Sequence, residues 1–111
     1  MLFDEVIATI TSHNGLPIRL TRKQWHHIVE SHDYMAGNRD KVLETAHEPD
    51  YIIDGGRGEF IALKHYSKTN ISEKYCAVVY RELDFDGFVI TAFLTSRPER
   101  IFTKGILWKR H

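Results

Sequence analysis

The sequence has one cysteine, three prolines and no net charge, and these shortages narrow the class of protein. The single Cys76 cannot form an intramolecular disulfide or a cysteine zinc cluster, and it suits a reducing compartment. No basic segment precedes the first apolar residues, and the apolar runs are as long as strands rather than membrane spans. We therefore expect no signal peptide, no membrane association and a cytoplasmic location.

The apolar residues are numerous enough for a folded core. The 111 residues are 42% hydrophobic and 12% aromatic, which predicts one domain over residues 1–111 and disfavours disorder. The charges balance at 15 cations and 15 anions, but residues 96–111 carry a net +4. This basic segment also holds Phe102 and Trp108. It is typical either of RNA contact or of a solvated tail with packed aromatics.

Local patterns predict an N-terminal hairpin followed by a helix. Alternating apolar residues on both sides of Asn14-Gly15 indicate two antiparallel strands joined by a tight turn. Thr21, with Gln24 three residues later, forms a capping-box pattern that begins a helix over residues 22–31. Apolar side chains then recur at helical spacing, so one side of this helix is expected to face the core.

A second helix and a sheet follow. The second helix begins after Asn38 and cannot continue past Pro49. Beyond it, β-branched and aromatic residues predict four strands, at residues 51–53, 60–66, 75–81 and 88–95. Short turns favour antiparallel pairing. We therefore expect an α+β fold with the N-terminal hairpin and two helices packed on a four-stranded antiparallel sheet.

Alternation divides the last predicted strand into two faces. Ile90 and Ala92 belong to the more apolar face, which we expect to pack against the helices. Val89, Thr91 and Phe93 belong to a mixed face that would be open to a ligand.

Metal and phosphate-loop motifs are absent from the sequence. His26 and His27 are adjacent on a helix and point about 100° apart, so they cannot jointly bind one ion. The glycine-rich run 55–58 lacks the ending of a phosphate-binding loop and predicts a turn that exposes Arg57. Cys76, within an apolar strand, is typical of a small buried side chain. We expect no metal and no cofactor.

The remaining chemistry is proton transfer by histidine, assisted by lysine, arginine, tyrosine or threonine. Such a set can cleave RNA without metal. One group accepts the proton of the ribose 2′-hydroxyl, another protonates the departing 5′-oxygen, and a cation stabilises the charged phosphorus centre.

Several short motifs occur in one order along the chain: Leu-Thr, Trp-x-His-Ile and a later histidine within 20–32, Pro49-Asp50, a strand at 75–79, Ile-Thr-Ala-Phe within 89–93, and Leu-Trp-Lys at 107–109. Together they resemble the phage-type nuclease families of the barnase, EndoU, colicin and RelE superfamily. The resemblance spans about residues 18–109. It implies helices on a four-stranded antiparallel sheet, metal-independent RNA cleavage, and often a phage or toxin setting with an antitoxin or immunity protein as partner.

The resemblance also implies catalytic residues. His32 matches the helix-end histidine of those families, although Asp33 stands where they commonly have proline. Thr91 matches the hydroxyl residue of the Ile-Thr-Ala strand, and Lys64 or Tyr66 lies where a strand supplies a basic or phenolic group. We take His32, Lys64 and Thr91 as the predicted catalytic set. RNA contacts are expected from His27, Arg57, Tyr66, Arg97 and Trp108.

The sequence also offers structural roles for these residues. His32 lies on the apolar stripe of the first helix, and threonine at 91 suits a strand. His65 shares its strand face with Ile61 and Leu63 and is therefore expected in the core, so we prefer Lys64 with Tyr66 for the site. A non-enzymatic RNA- or protein-binding module on the same fold remains the alternative to an endoribonuclease.

Overall fold

In the computed structural model, which describes residues 5–111, three α-helices pack on a seven-stranded sheet. The elements in chain order are β1 (Val6–Thr11), β2 (Pro17–Thr21), α1 (Arg22–Ser31), a 3₁₀ helix (Asp33–Gly37), α2 (Arg39–His47), β3 (Tyr51–Gly56), β4 (Glu59–Tyr66), β5 (Lys74–Glu82), β6 (Gly87–Thr95), α3 (Glu99–Phe102) and β7 (Ile106–Lys109). The strands lie in the order β1-β2-β6-β5-β4-β3-β7. No helix formed by residues 5–111 is long and apolar enough to span a membrane.

The predicted boundaries of the first two helices are confirmed. The Thr21 hydroxyl accepts a hydrogen bond from the Gln24 backbone N–H at 3.1 Å and so caps α1. The α2 helix begins after Asn38 and ends before Pro49. The Gln24 side chain, however, does not close a capping box. Its Nε2 donates instead to the backbone carbonyl of Ile90 in β6.

The predicted four-stranded antiparallel sheet is wrong, although the α+β class fits. The predicted hairpin forms, but it joins the main sheet through a parallel pairing of β2 with β6, at Ile18 with Gly87 and Arg19 with Phe88. The β7 strand adds at the other edge, beside β3. The parallel pairing involves only two pairs of residues that are far apart in the sequence, so no local pattern predicts it. The β7 strand has only four residues and lies within the basic segment, where no strand was predicted.

Gly87 permits the close approach at the parallel junction. A Cβ at this position would lie 2.1 Å from the Arg81 carbonyl oxygen and 2.8 Å from Ile18 Cδ1. A larger side chain would therefore force β2 and β5 away from β6.

The two faces of the sheet differ in what covers them. On one, which we call the helix face, α1 and α2 pack against strand residues in a continuous buried core. Its largest buried side chains include Ile18, Leu20, Ile28, Met35, Val42, Val78 and Tyr80. On the other, the open face, a smaller buried cluster around Ile61 and Leu63 is covered by Ile101 of α3. The two predicted helices therefore lie on one face, and α3, which was not predicted, lies on the other.

A β-bulge changes which side chains of β6 reach each face. Val79 pairs with Thr91, but the next residue of β5, Tyr80, pairs with Val89, so β6 contains an extra residue. As a result, Val89 joins Ala92 in the core of the helix face. The sequence alternation placed Val89 beside Thr91, and this prediction is wrong because a bulge interrupts the period of two.

The sheet curls so that its two edges approach each other across the helix face. The ring of His13, at the tip of the β1–β2 hairpin, lies 4.2 Å from the ring of Trp108 in β7. Ser12 and Asn14 in the same tip donate hydrogen bonds to the Glu82 carboxylate at 2.5 and 2.7 Å. These contacts close one end of the core.

Candidate functional site

The structure does not bring together the three predicted catalytic residues. Lys64 pairs with Cys76, which lies in the core of the helix face, whereas Thr91 pairs with Val79 on the open face. Cross-strand partners point to the same side of a sheet, so Lys64 and Thr91 point to opposite sides.

His32 lies beside the rings of Tyr34 and Phe93. Its ring is 5.6 Å from that of Tyr34 and 5.9 Å from that of Phe93. Phe93 shares the open face with Thr91, two residues away along β6. His32 and Thr91 therefore border the same part of the open face, at the edge of β6 that α1 covers.

Lys64 and Tyr66 are occupied by structural contacts. Lys64 Nζ donates to the Glu48 carbonyl at 2.8 Å, and the Tyr66 hydroxyl donates to Glu44 Oε1 at 2.5 Å. Burial, reinforced by the hydrogen bond to Glu44, raises the pKa of the Tyr66 phenol far above its usual value. Both side chains join β4 to the α2 region.

The other predicted RNA contacts are dispersed. Arg57 lies at the tip of the β3–β4 turn and has φ of 56°. This turn precedes the start of β4, whereas His65 lies near the end of that strand, about 20 Å away. Trp108 packs against His13. The exposed His27 lies on α1, and the exposed Arg97 follows β6. These residues do not form one surface.

A different set of polar side chains lines a pocket on the open face. It has a volume of about 330 Å³, at the end of the sheet where β3 and β5 begin and β4 ends. Its lining residues are Asp50, Tyr51, His65, Tyr75, Arg110 and His111. The pocket combines two imidazoles, a guanidinium, a carboxylate and two phenols, which together can bind an anion and transfer a proton.

His65 is held by a carboxylate rather than buried in the core. Its Nε2 lies 2.5 Å from Glu73 Oε2, and its ring meets the Tyr75 ring edge-on at 5.0 Å. The His65 side chain is 38% exposed, so the predicted core position is wrong. A carboxylate at Nε2 favours the tautomer with its proton there and leaves Nδ1 as the basic nitrogen.

Asp50 organises the cationic wall of the pocket. Its Oδ2 accepts a hydrogen bond from the His65 backbone N–H at 2.8 Å, and its Oδ1 is 3.6 Å from Arg110 Nε. Arg110 Nη2 also donates to the Glu48 carbonyl at 2.9 Å. Lys109 Nζ lies 6.0 Å from the centre of the Tyr51 ring. The end of the basic segment thus lines the pocket through Arg110 and His111, although both side chains are exposed.

Tyr75 supplies a phenol that stays protonated. Partial burial raises its pKa, and the nearby Tyr51 phenol and the Asp50 carboxylate add to the shift because they disfavour a second negative charge. Tyr75 can therefore donate a hydrogen bond to an anion in the pocket at neutral pH.

Sequence reasoning missed Glu73 and Tyr75 and set His65 aside. Their proximity follows from the pairing of His65 with Tyr75 across β4 and β5 and from the loop that precedes β5. Only a prediction of strand register could have found them. Among the residues that the structure describes, no three His, Cys, Asp or Glu side chains are placed to hold a metal ion.

Comparisons of the chain with protein-family models, with characterised proteins and with solved structures gave no match. A function must therefore be argued from the pocket itself.

Proposed function

We propose that the protein is a metal-independent endoribonuclease whose active site is the pocket around His65. The observation that carries the proposal is the pairing of His65 with Glu73, because His65 also lines one pocket with Arg110 and Tyr75. The sequence resemblance to phage-type nucleases supports the same reaction, and RNA is the proposed partner.

In the proposed reaction, His65 Nδ1 accepts the proton of a ribose 2′-hydroxyl as the 2′-oxygen attacks the adjacent phosphorus. The bond from phosphorus to the 5′-oxygen breaks, and that oxygen takes a proton from the Tyr75 phenol. His65 then releases its proton to water and Tyr75 regains one from water, so both groups return to their starting states. Arg110 stabilises the extra negative charge on the phosphorus centre. The products are a 2′,3′-cyclic phosphate and a 5′-hydroxyl.

A cytoplasmic location and an antitoxin or immunity partner belong to the same proposal. They rest on the sequence: the single cysteine suits a reducing compartment, and the resembling families often occur in toxin settings.

The test is incubation of the purified protein with single-stranded RNA in EDTA, with analysis of fragment ends. We expect 2′,3′-cyclic phosphate ends and a loss of at least about 100-fold in rate for His65→Ala, because general acid–base catalysis supplies about this factor. His26→Ala is the matched control, since it removes an exposed histidine from α1, and we expect the wild-type rate.

Three outcomes would contradict the proposal in different ways. RNA that is bound but left intact would favour the non-enzymatic binding module. Cleavage undiminished in His65→Ala but lost in His32→Ala would move the active site to the β6 edge that the sequence resemblance implied. Cleavage that EDTA abolishes would require a metal.

A further inference from the structure

The loop between β4 and β5, residues 67–73, is fixed by two asparagines. Asn38 Nδ2 donates to Asn70 Oδ1 at 2.9 Å and to the Tyr34 carbonyl at 2.8 Å. Asn70 Nδ2 donates to the same Tyr34 carbonyl at 2.9 Å. Asn38 is only 2% exposed, so its own two bonds are partly shielded from water, whereas the bond from Asn70 to Tyr34 is exposed. The loop that carries Glu73 is thereby tied to the 3₁₀ helix.

Asn38 makes these bonds instead of capping its own helix. It is the N-cap residue of α2, where an asparagine side chain ordinarily accepts a hydrogen bond from the first turn. In this structure its side chain makes no capping bond. The residue with the best position to stabilise α2 is therefore directed toward the loop.

The residue next to Glu73 has a strained backbone. Ser72 has φ of 117°, a conformation that residues with a side chain rarely adopt. The turn is held by Thr69, whose hydroxyl donates to the Ser72 carbonyl at 2.5 Å and whose N–H donates to it at 3.0 Å. Such a conformation persists only where surrounding contacts impose it, and here it sets the direction in which the chain enters Glu73.

We infer that Asn38 and Asn70 are positioning residues that hold the loop so that Glu73 fixes the tautomer of His65. The inference rests on the proposed function in taking His65 as the acid–base group. Asn70 acts on His65 through Glu73 and does not touch the pocket.

The experiment is ¹⁵N NMR of the histidine rings at about pH 8.5, where free histidine is neutral and its two tautomers are distinguishable. We expect His65 to carry its proton on Nε2 in the wild-type protein. Both Glu73→Ala and Asn70→Ala should shift the population toward the Nδ1–H form. Ser67→Ala, an exposed change in the same loop, is the matched control and should leave the ring signals unchanged.

RNA cleavage gives the second readout. A loosely held Glu73 should lower the rate of Asn70→Ala about 10- to 100-fold, the cost of a small misplacement in an active site. Its thermal midpoint should stay near that of Ser67→Ala, because Asn70 is exposed. Asn38→Ala, although less stable, should give the same tautomer shift.

The inference is overturned if Glu73→Ala shifts the tautomer while Asn70→Ala and Asn38→Ala do not. It is also overturned if Glu73→Ala has no effect, since Glu73 would not then fix the ring. A tautomer shift in a protein that cleaves no RNA would support the positioning role and reject the proposed function, so the two failures are distinguishable.

Discussion

Neighbouring residues of β4 have different roles on the two faces of the sheet. On the helix face, Lys64 and Tyr66 donate hydrogen bonds to the α2 region, and Lys64 Nζ also lies 3.8 Å from Asp50 Oδ1. On the open face, His65 lines a pocket with Tyr75 and is held by Glu73. The difference lies in the cover that each face receives: α1 and α2 have ten and nine residues, but α3 has only four. Polar side chains stay accessible where a single helical turn cannot cover the sheet.

The two faces should differ most in how much stability the protein loses when a large apolar side chain is replaced by alanine. Ile28→Ala removes a 1% exposed side chain from the helix face and should lower the free energy of unfolding by about 3 kcal/mol, because it leaves a cavity. Phe93→Ala removes a half-buried ring from the open face and should cost less than about half as much. Urea unfolding measures both. Equal losses would mean that the open face is as much a part of the core as the helix face.

The second largest expected effect is a loss of stability at alkaline pH, which originates on the helix face. Burial raises the pKa of the Cys76 thiol from 9.0 to about 11. The pKa of the thiol is higher in the folded protein than in the unfolded one. The stability that the protonated thiol contributes is therefore complete below pH 9 and is lost as the pH rises toward 11. The loss should approach about 2–3 kcal/mol in urea unfolding. Burial also raises the pKa values of Tyr66 and Tyr80, which adds to the loss at higher pH.

Cys76→Ala is the control for the alkaline effect, because it lacks the thiol. Its stability at pH 8 should be somewhat lower, but its decline between pH 9 and 11 should be shallower than that of the wild type. Parallel declines would show that the thiol does not contribute.

The smallest expected effects come from one substitution made at two tyrosines. Within residues 5–111, the buried Tyr80 hydroxyl has no hydrogen-bond partner, so Tyr80→Phe should raise the free energy of unfolding by about 1 kcal/mol. The Tyr34 hydroxyl donates to the Leu94 carbonyl and accepts from its N–H, both at 3.3 Å, so Tyr34→Phe should lower it by about 1 kcal/mol. Changes of the same sign in urea unfolding would refute this account of the two hydroxyls.

Part of the candidate site could be predicted from the sequence. Histidine as the proton-transfer group follows from composition and from the lack of a metal motif, and α1 was expected to end near His32. The exposure of His65 was predicted wrongly, because the expectation that it is buried like Ile61 and Leu63 on the same strand face assumes full cover of that face. The cover ends before His65, and this depends on how far α3 extends over the sheet.

The sequence by itself determined the features that depend on a few neighbouring residues. Thr21 starts α1 through its hydroxyl, Pro49 ends α2 because it lacks an N–H, and the Asn14-Gly15 turn closes the hairpin. Only the tertiary structure decided the parallel contact of β2 with β6, the bulge at β6 and the meeting of His65 with Glu73 and Tyr75. Propensities and caps act within one turn or strand, whereas register and cover depend on residues far apart in the chain.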